Sequence, residues 1–227
     1  MTELYPLFSL PTPWIRSFVR REGRLTLAQQ RALNTIWPRY GLAPDQSFSQ
    51  KVFPRSAPVI VEIGFGNGES LVEMASRYPE FNYLGIEVHR PGVGHLLLRL
   101  DQLGLDNVKV YCADAVNVLS LCLAEESCHR INIFFPDPWP KKRHHKRRLI
   151  QPKFAALLAS KLELGGILHL ATDWPDYAQY MQLAVSTCPQ MRPIDPYALI
   201  PERPSSKYEQ RGRRLGHPIQ ELAYRKD

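Results

Sequence analysis

The sequence lacks the features that mark membrane-spanning or exported proteins. No stretch of its 227 residues approaches the ~20 consecutive apolar residues that a transmembrane helix needs. The N-terminal segment is the reverse of a secretory signal, because an acidic residue stands at position 3 and the basic residues follow the apolar part. The sequence therefore predicts a cytoplasmic protein that does not associate with membranes.

Cysteine is also scarce. The four cysteines stand at positions 112, 122, 128 and 188, with no C-x-x-C pair and no Cys/His spacing typical of a zinc site. We therefore expect free thiols in a reducing compartment, with neither a disulfide framework nor a bound metal. Nothing in the sequence indicates an obligate protein partner.

Acidic residues are outnumbered by basic ones. Lys and Arg total 29 and Asp and Glu total 22, which gives a net charge of +7 and a pI near 9.3. This balance suggests a polyanionic partner such as nucleic acid. Apolar residues make up 44% and charged residues 22%, as in ordinary globular proteins, and the length suits one α/β domain with additional arms.

The pattern along the chain changes near residue 50. Residues 1–50 are basic, proline-rich and irregular, which predicts an N-terminal arm, and residues 51–227 are predicted to form the main domain. There, β-branched apolar runs alternate with helical periodicity, so we predict a mostly parallel, doubly wound α/β sheet with helices on both faces. The predicted strands cover 58–63, 82–88, 108–112, 130–135, 167–171 and 219–224, and the helices cover 71–78, 93–103, 116–123, 150–158 and 177–185. Ligand-binding residues are expected just after each strand.

A glycine-rich turn follows the first strand of the domain. Gly64, Gly66 and Gly68 allow a tight turn and a close approach of the backbone to a ligand, although a plain βα turn has the same composition. Their spacing is not the G-x-G-x-x-G of nicotinamide and flavin binders, and Glu69 would repel a pyrophosphate. The carboxylate of Glu62 favours an ammonium group, which S-adenosylmethionine has and a dinucleotide lacks.

Two further carboxylates follow the next strands. Glu87 stands about 20 residues after the first glycine, where an acidic side chain accepts hydrogen bonds from ribose hydroxyls. Asp114 is placed to accept from an adenine amino group, with a solvated turn aspartate as the alternative. Acidic residues on three successive strand ends are a more specific indication of a cofactor site than any one of them alone.

The fourth strand ends in a proline-flanked aspartate. Prolines at 136 and 138 restrict the backbone around Asp137 and aim its carboxylate, and Trp139 offers a face on which a base can stack. A purely structural proline loop is the alternative. The fifth strand is followed by Asp173, which places one more carboxylate at the same edge of the sheet.

A basic run follows directly, with six positive charges in residues 141–148. Such a run can be a solvated face or a nuclear localisation signal, but its position favours contact with phosphates. The two histidines are interpreted as polar members of this run rather than as metal ligands. A second polar loop, 202–217, mixes donors, acceptors and an aromatic residue in a way that suits recognition of RNA. The candidate RNA contacts are Lys141, Arg143, His144, His145, Lys146, Arg147, Arg148, Asp173, Ser206, Lys207, Tyr208 and Glu209.

From about residue 14 onward, the sequence resembles the TrmB-type tRNA (guanine-N7-)-methyltransferases. The resemblance is carried by the segments 16–24, 62–68, 136–139, 141–148, 171–173 and 206–212. It implies the Rossmann-like fold of class I S-adenosylmethionine-dependent methyltransferases and transfer of a methyl group to N7 of a guanine in the variable loop of tRNA. It also implies that Glu62, Glu87, Asp114 and Asp137 line the cofactor site, with Asp137 catalytic, and that Lys141, Asp173 and residues 206–209 contact tRNA. The family usually has Thr-Lys-Phe-Glu where this chain has Ser206-Lys-Tyr-Glu209.

Three rival functions remain from the residues alone. A non-catalytic RNA-binding protein with a degenerate cofactor fold is disfavoured by the intact acidic strand ends. A nicotinamide-dependent oxidoreductase is disfavoured by the glycine spacing. A methyltransferase acting on an exocyclic amine is excluded only by the family resemblance, since proline- and aspartate-containing loops serve that chemistry too.

Overall fold

A computed structural model describes residues 14–18, 23–199, 201–204, 209, 216 and 218–227. In these residues, eight strands form one sheet with helices on both faces. The strands are β1 (Gly41–Leu42), β2 (Val59–Ile63), β3 (Asn82–Ile86), β4 (Val108–Tyr111), β5 (Cys128–Phe134), β6 (Leu162–Thr172), β7 (Met191–Ile194) and β8 (Gln220–Lys226). The helices are α1 (Leu27–Thr35), α2 (Trp37–Tyr40), α3 (Glu69–Arg77), α4 (Arg90–Leu103), α5 (Ala115–Asn117), α6 (Pro152–Lys161) and α7 (Pro175–Ser186).

The strand order is β1-β4-β3-β2-β5-β6-β8-β7. All pairs are parallel except those of β8, which runs antiparallel to β6 and to β7. The chain builds outward from β2 through β3 to β4, and then returns to lay β5 on the other side of β2. The strand order therefore reverses between β2 and β5, and ligands of such sheets bind beyond the carboxyl ends of the strands at this point.

The sheet is covered on both faces, as the apolar runs of the central strands predict. All five residues of β2 are buried. One apolar core contains Ile63 and Leu158 and lies on the α6–α7 side, whereas the other contains Ile60 and Leu97 and lies on the α3–α4 side. The predicted doubly wound α/β fold is confirmed.

The helix ends follow the local chemistry of the chain. The helices α4, α6 and α7 each have a proline in their first turn, where a missing N–H costs nothing. The helix α4 ends at Gly104, whose φ of 63° is the left-handed cap that glycine adopts without strain. Thr26 and Gln29 form a reciprocal capping box at the start of α1. Among the described residues, no helix is long and apolar enough to cross a membrane.

The prediction that residues 1–50 are irregular is wrong for residues 27–42. The helix α1 packs on α4, and β1 pairs with β4 at the edge of the sheet. Ala32 and Tyr40 are almost completely buried there. A side chain at Gly94 of α4 would meet Gln29 at 2.9 Å, so this glycine lets the two helices approach closely. The stability of α1 therefore depends on a partner helix far along the chain.

Two element boundaries also differ from the predictions. The strand β6 begins at Leu162, directly after α6, and its register with β5 shifts between Cys128 and Arg130. The pair Gly165-Gly166, which precedes the strand predicted at 167–171, lies inside this irregular part of β6. The helix predicted at 116–123 is the short α5 followed by a π-helical turn, Val118–Cys122.

Candidate active site

The glycine-rich turn after β2 forms one wall of the site. Gly64, Gly66 and Gly68 have φ values of 76°, 58° and 78°, in the left-handed region that glycine adopts most readily. Glu87, which directly follows β3, fixes this turn because its Oε2 accepts a 2.9 Å hydrogen bond from the backbone N–H of Gly66. Its Oε1 accepts from the backbone N–H groups of Val88 and His89 at 2.7 and 2.9 Å.

Glu62 lies behind the turn and is 3% exposed. Its Oε2 has no hydrogen-bond partner among the described residues. Burial raises the pKa of Glu62 to about 7, against the opposing effects of a hydrogen bond from Ser70 and of the positive charges of Arg130 and Arg203. A buried carboxylate oxygen without a partner is costly unless a ligand completes it, so this position fits a cationic group such as an ammonium.

Asp114 follows β4 and caps α5. Its side chain accepts a 2.8 Å hydrogen bond from the backbone N–H of Val116. Burial raises the pKa of Asp114, while the hydrogen bond to Val116 and the charge of Arg16 oppose the shift. Because the charge of Arg16 acts on Asp114, the N-terminal segment 14–18 lies near the carboxyl end of β4.

The loop after β5 is strained on both sides of the candidate catalytic residue. Phe135 and Trp139 have φ values of 52° and 46°, which are unusual for residues other than glycine. The backbone N–H of Phe135 donates to the carbonyl of Ala171 in β6 at 2.7 Å. Asp137, between the two strained residues, is exposed. Backbone strain of this kind is typical of functional sites.

Trp139 is held by three neighbours. Its Nε1 donates to the carbonyl of Ser17 at 3.0 Å, the guanidinium of Arg147 lies 5.2 Å from the centre of its ring, and the ring of His144 meets it edge-on at 5.8 Å. One face of the indole is therefore already occupied by Arg147. The contact with Ser17 was not foreseen, because nothing in the sequence pairs two residues so far apart.

The basic run forms a 3₁₀ turn, Lys142–Arg147. Lys141, Arg143 and Lys146 are exposed, while His144, His145 and Arg147 are half-buried. This turn presents its positive charges beside the loop that carries Asp137.

Arg148 does not belong to this surface, and its prediction as an RNA contact is wrong. It is 2% exposed, donates through Nε to the carbonyl of Pro138 at 2.9 Å and pairs with Asp176. Its guanidinium also lies 4.9 and 5.4 Å from the rings of Tyr177 and Tyr180. Arg148 therefore braces the loop from inside the protein.

The predicted contacts of the C-terminal loop are only partly visible. Asp173 follows β6 and is half-buried, while Ser206, Lys207 and Tyr208 lie outside the described residues. Glu209 is described and is 2% exposed, with its Oε2 accepting a 2.6 Å hydrogen bond from Arg203. This geometry contradicts the prediction that Glu209 contacts RNA directly, because its carboxylate is bound inside the protein.

Arg203 is a buried residue whose place in the site the sequence does not predict. The residue stands between prolines in a polar stretch that is typical of a surface loop, and no pattern indicates its burial. Its side chain is 7% exposed and also pairs with Glu221 of β8.

The structure brings the predicted acidic residues together at the carboxyl edge of the sheet. Glu62, Glu87 and Asp114 follow or end β2, β3 and β4, and Asp137 and Asp173 follow β5 and β6 on the other side of the switch point. The left-handed glycine turn and the unpartnered oxygen of Glu62 fit S-adenosylmethionine. Among the described residues, no cluster of His, Cys, Asp and Glu has the geometry of a metal site.

Comparison with known proteins agrees with this arrangement. A family model described as "Putative methyltransferase" matches residues 56–222. The chain is 54% identical over 219 residues to the tRNA (guanine-N(7)-)-methyltransferase of Alkalilimnicola ehrlichii, covering 93% of this chain and 92% of the relative. It is 51% identical over 221 residues to the enzyme of the same name from Methylococcus capsulatus, covering 95% and 96%.

Among solved structures, geranyl diphosphate C-methyltransferase from Streptomyces coelicolor A3(2), in complex with Mg²⁺, geranyl diphosphate and S-adenosyl-L-homocysteine, superposes with a TM-score of 0.53. The match covers 77% of this chain and 75% of that chain at 11% identity, so it supports the fold alone. With half of its residues identical to those of the curated relatives over more than nine-tenths of its length, the chain belongs to the TrmB-type tRNA (guanine-N7-)-methyltransferase family.

Proposed function

We propose that the protein transfers the methyl group of S-adenosylmethionine to N7 of a guanine in the variable loop of tRNA. The observation that carries this proposal is the buried carboxylate of Glu62, whose Oε2 has no hydrogen-bond partner among the described residues, behind a left-handed glycine turn in a chain of this family. Because tRNA is used for translation in the cytoplasm, we propose a cytoplasmic location as well.

Three carboxylates hold the cofactor in this proposal. Glu62 pairs with its ammonium group, and Asp114 accepts from the adenine amino group. Glu87 accepts from the ribose, but its Oε1 already accepts two backbone hydrogen bonds and its Oε2 accepts one. Because each carboxylate oxygen has about two accepting positions, we expect a single ribose hydroxyl on Oε2. The backbone at Gly64, Gly66 and Gly68 approaches the cofactor closely.

The chemistry requires alignment rather than proton removal. When bound, S-adenosylmethionine supplies an electrophilic methyl group on a positively charged sulfur. Guanine N7 carries an in-plane lone pair and no proton, so no general base is needed, and positive charge appears on the imidazole ring of the base. We assign Asp137 as the catalytic carboxylate that offsets this charge, and Asp173 as a second carboxylate that orients the guanine through its N1 and amino hydrogens.

The basic turn positions the substrate in the same proposal. Lys141, Arg143 and Lys146 are exposed beside the Asp137 loop and contact phosphates, while His144 and Arg147 lie against Trp139. The target guanine must turn out of its base stack so that its N7 can approach the methyl group of the cofactor. We keep Ser206, Lys207 and Tyr208 as proposed contacts to the RNA.

The acceptor is tested by mapping the methyl group. We expect that purified protein, isotope-labelled S-adenosylmethionine and an unmodified tRNA transcript yield 7-methylguanosine at a single position in the variable loop. A transcript with adenine at that position should accept no methyl group. A label on an exocyclic amine would assign a different acceptor, and tight RNA binding without any transfer would favour the non-catalytic alternative.

A further inference from the structure

Arg203 lies in the polar loop predicted at 202–217, here called the C-terminal loop. It contacts the start of the loop after β5 that carries Asp137, here called the Asp137 loop, and the last strand, β8. Its Nη1 donates to Oε2 of Glu209 at 2.6 Å and to the carbonyl of Pro204 at 3.2 Å, and its Nε donates to Glu221. The side chains of Glu209 and Glu221 are 3% and 8% exposed. One guanidinium therefore serves two buried carboxylates at once.

The same guanidinium lies against the aromatic residues that lead into the Asp137 loop. Its carbon stands 5.4 Å from the ring centre of Phe134 and 5.6 Å from that of Phe135. Phe134 ends β5, and Phe135 is one of the two residues of this loop with a strained backbone. Because Asp137 stands two positions further, Arg203 supports the point at which this loop leaves the sheet.

A second buried arginine secures the segment 201–204 beneath this contact. Arg130 of β5 is 1% exposed, donates to the carbonyl of Pro201 at 2.6 Å and bonds Nδ1 of His169 at 2.6 Å. Burial and the nearby positive charges lower the pKa of His169 to about 2, so His169 is neutral and accepts this hydrogen bond. The segment that carries Arg203 is thus tied to β5 through Arg130, which is itself bonded to His169 of β6.

We propose that Arg203 is a positioning residue that locks the C-terminal loop onto the Asp137 loop, and that Glu209 acts through Arg203 rather than by touching RNA. This proposal rests on the proposed function for its kinetic readout. Lysine cannot replace arginine here, because an ammonium group lacks the planar fork that reaches two carboxylates while stacking on two rings. A loss of this lock displaces Asp137 and the C-terminal loop together.

The kinetic test compares Arg203→Lys, Glu209→Gln and the double variant. We expect each single variant to lower kcat about tenfold or more while the dissociation constant for the cofactor changes less than about threefold. Because the two residues act as one unit, the double variant should lose no more than the worse single variant. Losses that multiply, or a fall in tRNA affinity without a fall in kcat for Glu209→Gln, would mean that Glu209 contacts RNA independently.

Arg192→Lys is the matched control, because Arg192 pairs with Asp227 at the surface and its side chain is 66% exposed. We expect its kinetics and its thermal midpoint to equal those of the wild type. If Arg203→Lys does not fold, Glu209→Gln, which keeps the shape of the side chain, still tests the proposal through kcat.

Hydrogen exchange provides a readout that does not need methyl transfer. We expect Arg203→Lys to exchange faster than Arg192→Lys in peptides covering residues 134–141 and 201–204, with equal exchange in β2 and α4. Equal exchange in both segments would overturn the proposed lock whatever the kinetics show. If the two variants differ in exchange as expected but the wild-type protein methylates no tRNA, the proposed function is overturned and the lock is not.

Discussion

A single carboxyl group, that of Glu62, combines a structural cost with the cofactor-binding role that we propose for it. Its burial, with Oε2 unpartnered among the described residues, makes the ionised form unfavourable in the absence of a ligand, and its pKa is raised to about 7 from 4.5. A cation beside this carboxylate would therefore interact with it more strongly than with a carboxylate at the surface, since little solvent competes for it. In the proposed site, the free energy of unfolding and the affinity for the cofactor should both depend on the protonation of this one group.

The stability of the ligand-free protein should depend on Glu62 with a definite sign. Between pH 4.5 and about 7 the folded state binds more protons at this residue than the unfolded state does, so its contribution falls as pH rises and levels off above pH 7. Urea unfolding of Glu62→Gln should thus match the wild type near pH 4.5 and show higher stability at pH 8. Wild-type stability that rises relative to Glu62→Gln over this range would contradict the burial argument.

Cofactor binding should release a proton at Glu62 near pH 7. The ammonium group favours the ionised carboxylate, so binding lowers the pKa of Glu62 and expels the proton that it holds. Calorimetry of S-adenosyl-L-homocysteine binding at pH 7 in two buffers of different ionisation enthalpy measures this release. The exposed Glu73→Gln on α3 should behave as the wild type, whereas Glu62→Gln should bind weakly and release none.

Asp137 should affect turnover far more than affinity. Asp137→Asn keeps the shape of the side chain but removes the charge that offsets the developing cation, so we expect turnover to fall by about 10²-fold or more. The affinity for tRNA should change only a few-fold. Asp106→Asn, on the exposed turn before β4, is the control. Single-turnover rates within a few-fold of the wild type would reduce Asp137 to a positioning role.

At the scale of elements, the 3₁₀ turn Lys142–Arg147 divides the basic run into two classes of residue. The outward side chains are free to meet phosphates, whereas the next residue, Arg148, turns into the protein against Tyr177 and Tyr180. A run of like charges does not reveal this division, because burial of one member depends on where the turn ends.

The outward residues should control the salt dependence of tRNA binding. Each side chain that neutralises a phosphate contributes about 0.7–0.9 to the slope of log affinity against log salt, so Arg143→Ala with Lys146→Ala should flatten it by about 1.5. Cofactor binding should not change. Lys51→Ala with Arg55→Ala, two exposed residues before β2, tests for a nonspecific charge effect. An unaltered slope would show that residues other than Arg143 and Lys146 neutralise the phosphates of the RNA.

Arg148 should instead control stability. Arg148→Ala removes a buried group that contacts Pro138, Asp176 and two tyrosine rings, and we expect a loss of roughly 2–4 kcal/mol in the free energy of unfolding. Asp176→Asn should cost much less, because Asp176 is 63% exposed and water replaces the lost contact. Chemical denaturation of both variants measures the difference. Equal losses would show that the ion pair, rather than the burial of the guanidinium, stabilises the loop.

The sequence predicts the strands β2 to β6 and the helices α3, α4, α6 and α7 because each carries its own periodic apolar signal. It does not predict α1, whose Leu27 is 81% exposed and whose stability comes from packing on α4. The acidic strand ends were found because topology alone brings them to one edge of the sheet. Arg203 and the burial of Glu209 were not, because pairing among buried charges depends on contacts between segments that no local pattern records.

Across the whole molecule, an overall positive charge coexists with a group of carboxylates at the carboxyl edge of the sheet. Glu62 and Glu87 are buried and Asp114 is half-buried there, whereas Lys141, Arg143 and Lys146 are exposed beside the loop that carries Asp137. A net charge of +7 attracts a polyanion over longer distances, whereas the grouped carboxylates repel a phosphate nearby. The arrangement therefore favours phosphates at the exposed basic turn and cations beside the carboxylates.

The antiparallel strand β8 also determines the order in which the sheet can be completed. It lies between β6 and β7, although it follows both in the chain, so β7 cannot join the sheet until β8 has entered. Until then β6 is an open edge, with the unpaired N–H and C=O groups that invite association between chains. Glu221, the β8 partner of Arg203, is missing for the same interval. The vulnerable stage of folding is therefore the interval before β8 pairs with β6, and the contact of Arg203 with Glu221 forms only when that interval ends.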